Sequence, residues 1–147
     1  RGARSMKFGI ALLASALVAS GGVAFAQQDL HEVVKSIITD TVSDDEKPIG
    51  ALESGELEEG DSYIFSVKID PNKEYAVYSS CDFDCHDLDL AIVDEDGGDI
   101  DFDYEDDDVP IVIVERGEAG DELNIRIDME GCDADICVWA VGVYEQK

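Results

Sequence analysis

The run Cys81-Asp82-Phe83-Asp84-Cys85-His86-Asp87-Leu88-Asp89-Leu90 places two cysteines, a histidine and four aspartates within ten residues. Side chains of these types can bind a metal ion, attach haem, exchange disulfides or lock a strand end with a disulfide. Spacing separates these chemistries. Cys81-x₃-Cys85-His86 is one residue longer than the C-x-x-C-H haem attachment motif, and the surrounding alternation leaves no helices to bury a haem. A zinc site would need Cys81, Cys85, Cys132 and Cys137 as free thiolates, which an oxidising compartment disfavours. With only His31 and His86 in the chain, no Ser-His-Asp constellation is suggested.

The acidic residues point to a different chemistry. Residues 81–108 hold 14 Asp and Glu in 28 positions and no Lys or Arg. If the Leu88 and Ile100 segments form a hairpin, Asp87, Asp89, Asp101 and Asp103 share one face and repel one another by roughly 1 to 3 kcal/mol per close pair. A hard cation relieves that repulsion. Ca²⁺ takes six to eight oxygens in irregular geometry and suits such a set better than zinc does. The candidate ligands are Asp87, Asp89 and Asp103 on the strands, with Asp94, Asp96, Asp106, Asp107 and Asp108 in flanking loops. Neither an EF-hand loop nor a glycine-rich calcium repeat is present. The competing reading is a solvated acidic surface adapted to high salt.

The elements that position these residues follow an export signal. Met6-Lys7, the apolar run Ile10 to Val18 and Ala24-Phe25-Ala26 together read as a signal peptide over residues 1–26, with the mature chain starting at Gln27. Losing Arg1, Arg4 and Lys7 leaves 7 basic residues against 36 acidic ones, a net charge near −29. Such a field repels nucleic acid and anionic lipid, so neither is an expected partner, and no membrane association is expected once the signal is cleaved. Export to the periplasm or beyond also sets the cysteine chemistry. Four cysteines allow three connectivities, and local pairing of Cys81 with Cys85 and Cys132 with Cys137 is expected because each pair flanks a short acidic stretch; a cross-link between the pairs stays open.

Leu30, Val33, Val34, Ile37 and Ile38 recur at helical spacing, which predicts an amphipathic helix over Gln27 to Asp40, followed by an acidic linker ending at residue 47. From residue 48 onward, alternation takes over. Tyr63, Phe65, Val67 and Ile69, then Leu88, Leu90 and Ile92, then Ile100 and Phe102, then Leu123, Ile125 and Ile127 alternate with mostly polar neighbours. With Glu74 to Ser80, Pro110 to Glu115, Ile136 to Tyr144 and a short first strand near Ile49 to Glu53, about eight strands result, the pattern of an all-β antiparallel sandwich. Phe65, Val67, Leu90, Ile92, Phe102, Ile125 and Ile127 are its expected core.

The run C-D-x-D-C-x-D-L-D-L, the D-x-x-G turn at Asp94 to Gly97, Asp103, D-D-x-P at Asp107 to Pro110 and the late cysteine pair resemble the bacterial pre-peptidase C-terminal domain family over roughly Gly50 to Tyr144. The resemblance implies a jelly-roll-like sandwich, calcium stabilisation and, in some members, binding of a polymer such as collagen or carbohydrate. It puts the weight on Asp87, Asp89, Asp94 and Asp103 as calcium ligands. The family's usual peptidase domain is not among these 147 residues. The expected function is a binding or accessory module for an extracellular or periplasmic protein or polysaccharide, the alternatives being a salt-adapted structural envelope protein without a specific ligand and a partner-binding subunit that uses the N-terminal helix. No enzyme is expected: a glycosidase-like carboxylate pair needs one acid in an apolar pocket, and these aspartates lie on an alternating, solvent-side face.

Overall fold

The computed structural model describes residues 29–147; the expected signal peptide lies outside the described residues. Helix α1 spans Leu30–Thr41, with the Asp29 side chain accepting from the His31 backbone N–H as N-cap. This satisfies one of the donors that a helix start leaves unpaired. Val34 and Ile38, one turn apart, are fully buried. The apolar stripe thus packs on the domain's own sheet, against Ala76, Tyr78, Val138, Ala140 and Tyr144. The Ser80 hydroxyl, itself buried, donates to the Val34 carbonyl at 2.7 Å and fixes the helix lengthwise.

Nine antiparallel strands follow: β1 (Lys47–Pro48), β2 (Glu53–Leu57), β3 (Ser62–Lys68), β4 (Tyr75–Cys81), β5 (Cys85–Val93), β6 (Asp99–Asp103), β7 (Ile111–Val114), β8 (Glu122–Cys132) and β9 (Cys137–Glu145). One sheet has the order β1-β9-β4-β7 with β2 also on β9, and the other has β3-β8-β5-β6. From β2 onward every connection except the β5–β6 hairpin crosses to the other sheet, which is the jelly-roll arrangement. The sandwich expected from alternation is present. Its first full strand sits later than expected, at Glu53–Leu57, because the chain bulges at Gly50, whose φ is +75°, before rejoining β9.

Between the sheets lie Leu88, Leu90 and Ile92 of β5 with Leu123, Ile125, Ile127 and Met129 of β8, all fully buried, facing Val77, Val141 and Trp139 of the opposite sheet. Trp139 stacks with Tyr63 and Phe65 at ring-centroid distances of 5.2 and 6.5 Å. Gly55 makes room for it, since a Cβ there would meet the indole Cζ2 at 2.8 Å.

Two core expectations change. Phe65 and Val67 are only partly buried, because β3 is an edge strand of its sheet. Phe102, expected in the core, is 54% exposed, with Ile100 beside it exposed as well. The register explains this reversal. Leu90 pairs with Asp103 and Ile92 with Asp101, so Asp101 and Asp103 share the inner side of the sheet with the core leucine and isoleucine, while Phe102 pairs with the outward Ala91. At the open edge of the sandwich the inner side of β6 is lined by backbone donors: Asp103 Oδ2 accepts from the Ile111 N–H at 2.9 Å and Oδ1 from the Glu105 N–H. A carboxylate satisfies those donors and an aromatic ring cannot.

The cysteines pair locally, Cys81 with Cys85 and Cys132 with Cys137, at Cα separations of 5.8 and 6.0 Å. Cys85 and Cys132 are register partners on β5 and β8, so the two closed loops lie side by side. They are tied at two further points, Asp133 N–H to the Asp84 carbonyl and Val138 N–H to the buried Asp82 carboxylate. Two disulfides are the bonding of a non-reducing setting, extracellular or periplasmic. No helix among the described residues is long and apolar enough to cross a membrane.

Candidate functional site

The outer face of the β3-β8-β5-β6 sheet carries the acids that alternation expels from the core. Asp87 and Asp89 leave β5 on this face, and Asp89 stands directly across from Asp128 of β8. The Leu88 N–H donates to the Asp107 carbonyl at 2.9 Å, which draws the loop after β6 alongside the same strand. The negative charges of Asp106 and Asp107 act on Asp87, and those of Asp87, Glu130, Asp128 and Asp103 act on Asp89.

Desolvation is the largest cause that raises the proton affinity of both groups, and the like charges add to it. Asp87 is shifted upward, with His86 opposing; Asp89 is pushed up to about 6. One Asp87 oxygen, Oδ1, is buried without a hydrogen-bond partner, a costly arrangement for a carboxylate. Two cations lie on this face, Lys68 opposite Glu122 at its far end and Arg126, which is already paired. Its Nε donates to Asp128 Oδ2 at 2.7 Å, its Nη1 lies 3.0 Å from Asp99 Oδ1, and its Nη2 donates to the Tyr104 hydroxyl at 2.6 Å.

The other sequence-derived candidates are divided between separate places. Asp94 and Asp96 belong to the β5–β6 turn, where Asp94 Oδ1 accepts from the Asp96 and Gly98 N–H groups. At about 3.3 Å per strand residue, Asp94 lies roughly 16 Å along β5 from Asp89, too far to share an ion. Asp103 faces the inner rim, so the shared face expected for Asp87, Asp89, Asp101 and Asp103 is corrected: only Asp87 and Asp89 point outward. Asp107 Oδ1 caps the Val109 N–H, and Asp108 gives its carbonyl to the Cys81 N–H. Among the described residues no three His, Cys, Asp or Glu side chains are grouped tightly enough to hold a metal ion. What the fold brings together is Asp87, Asp89, Asp106 and Asp107, with Asp128 and Glu130 from β8. Sequence reasoning passed over these two β8 acids because they follow Arg126 on a strand with ordinary charge content; only the register brings them opposite β5.

No protein-family model and no curated protein matches this chain. The resemblance to the pre-peptidase C-terminal family rests on its motif residues.

Proposed function

We propose that the protein is an exported jelly-roll module of the pre-peptidase C-terminal kind, stabilised by Ca²⁺ at Asp87 and Asp89 and acting in binding rather than catalysis. One observation carries the cation: Asp87 holds a buried, unpartnered oxygen two residues from an Asp89 carboxyl that burial and then surrounding carboxylate charges push up to about 6. A divalent ion would supply the missing partner for the oxygen and remove the repulsion in one step. Asp106 and Asp107, on a loop rather than a strand, are the groups able to close over it. A secretory leader at residues 1–26 fits the disulfide chemistry. Asp89 does have the raised proton affinity of a glycosidase acid, but it stands on a sheet face and does not line the cavity of about 610 Å³ at the far end of the sheet.

The test is thermal unfolding at fixed, moderately high ionic strength, with Ca²⁺ or Mg²⁺ added. Ca²⁺ at a hundred times its dissociation constant adds about 2.7 kcal/mol if it binds only the folded state, a shift of several degrees. Asp87→Asn with Asp89→Asn abolishes that shift. Equal small responses to both ions, unchanged in the double variant, would leave the salt-adapted surface as the correct reading. That alternative has its own support: Asp70, Asp94, Asp103, Asp107 and Glu118 all accept backbone N–H bonds in turns and loops, so much of the acid serves the fold without any ion.

A further inference from the structure

At the other end of the acidic sheet, away from Asp87 and Asp89, lies an open cavity of about 610 Å³, within the range of sites that hold drug-sized ligands. Its apolar floor is built from Ile64 of the β3 edge, Val93 at the end of β5 and Ile100 of β6. Ile64 is 55% exposed and Ile100 is exposed as well, one on each edge strand of the sheet, with β8 and β5 between them. Its rim is acidic on both sides. Asp94 and Glu95 come from the β5–β6 turn; Glu118, Asp121 and Glu122 come from the loop before β8 and its first residue. No Lys, Arg or His lines the cavity among the described residues. Arg116 is two residues from Glu118 but outside the lining, Lys68 stands opposite Glu122 across the β3–β8 ladder, and Arg126, the register partner of Ile64, is neutralised by Asp99 and Asp128.

We propose that this cavity is a docking site for an extended basic peptide segment of a partner protein, with Lys or Arg heads on the rim carboxylates and apolar side chains on Ile64, Val93 and Ile100. Charge selects the class of occupant. An anionic glycan or membrane is repelled by five carboxylates, and a neutral glycan, though its hydroxyls can donate to them, brings no charge to offset theirs. A purely ionic ligand leaves the isoleucines uncovered. A segment alternating apolar and basic residues satisfies both, because long basic side chains lay an aliphatic stem along apolar surface while the head stays at the polar edge. This goes beyond the calcium reading and does not depend on it, since no residue is shared between the two sites.

The experiment titrates the full mature protein, with and without Ca²⁺, using three capped synthetic pentapeptides in about 0.15 M salt, where exposed charges are screened beyond ~8 Å. One alternates leucine with arginine, one replaces the leucines by glycine at equal charge, and one replaces the arginines by glutamate. The leucine-arginine peptide should bind at least about tenfold more tightly than the glycine-arginine peptide, and the glutamate peptide should not bind. Ile64→Ser, a change at an exposed site with little effect on folding, should erase the difference between the first two, and Glu95→Gln with Asp121→Asn should weaken both. Asp87→Asn, at the other end of the sheet, should change neither. Equal binding of the leucine and glycine peptides, or a difference that survives Ile64→Ser, shows only diffuse attraction to an acidic protein and overturns the proposal.

Discussion

Asp89 of β5 and Asp128 of β8 stand directly opposite each other on the outer face of their sheet, and of the two it is Asp128 that has Arg126 against it, at 2.7 Å. Asp89, across the ladder, is pushed toward the protonated form. Burial and then the surrounding carboxylates raise Asp89 to about 6.

The pH dependence of stability follows from that asymmetry. The folded value lies above the ordinary aspartate value near 4, so the native state holds the proton more tightly over this window. The contribution of Asp89 is therefore fully present below about pH 4 and is lost as pH rises through about 6. Asp89→Asn should raise stability at pH 7 by on the order of 1 kcal/mol, less than full conversion of the shift because the carboxyl still meets water. At pH 4 the substitution should be nearly neutral. Denaturant unfolding at both values checks this, and a uniform effect of Asp89→Asn at the two values would remove Asp89 as the cause.

Calcium must compete with the same proton. Apparent affinity at the proposed site should be nearly constant above about pH 7 and fall below about pH 6, approaching tenfold per unit well below it, as a ligand that must lose its proton dictates. Isothermal titration across pH 5 to 8 reads this directly, with proton release detectable as a buffer-dependent heat. Affinity that is flat through this range would place the ion away from Asp89.

Leu90 and Phe102 make a contrasting pair. Leu90 is fully buried between the sheets, and Leu90→Ala should cost about 2 to 5 kcal/mol. Phe102 is exposed and stacks on Tyr104 with ring centroids 4.4 Å apart, so Phe102→Ala should cost no more than about 1.5 kcal/mol. Chemical denaturation of both variants decides whether β6 is turned as described.

That strand marks where the sequence stops being legible. Alternation located β3 to β9 within a few residues, because period-2 patterning reports which residues share a face. It does not report which face is inside. On β5 the fully apolar set Leu88, Leu90 and Ile92 settles the matter, whereas on β6 the aspartates and the Ile100/Phe102 pair are equally regular, and the edge position with its backbone donors decides. Asp94 shows a related ambiguity: a carboxylate that accepts backbone N–H bonds in a turn is the same residue type as a cation ligand. The grouping of Asp87 with Asp128 and Glu130 needs the β5–β8 register, a relation between segments about forty residues apart.

Arg126 should be the most sensitive polar residue of the acidic face. Arg126→Gln leaves Asp128 and Asp99 without their cation and should destabilise by about 1 to 3 kcal/mol. Adding Asp128→Asn should recover part of that loss, giving a coupling energy of at least about 0.5 kcal/mol in a double-mutant cycle. Strict additivity would mean the two side chains do not act together.

Helix α1 covers the outer face of one sheet, and both the Asp87/Asp89 cluster and the acid-rimmed cavity belong to the other, about 10 Å of packed core away. The domain thus has a back and a front. A leader, tether or neighbouring protein joined ahead of Asp29 would leave from the back, so immobilising the protein through that end would present the acidic front to solvent, and an orientation-sensitive assay should be built with the attachment there.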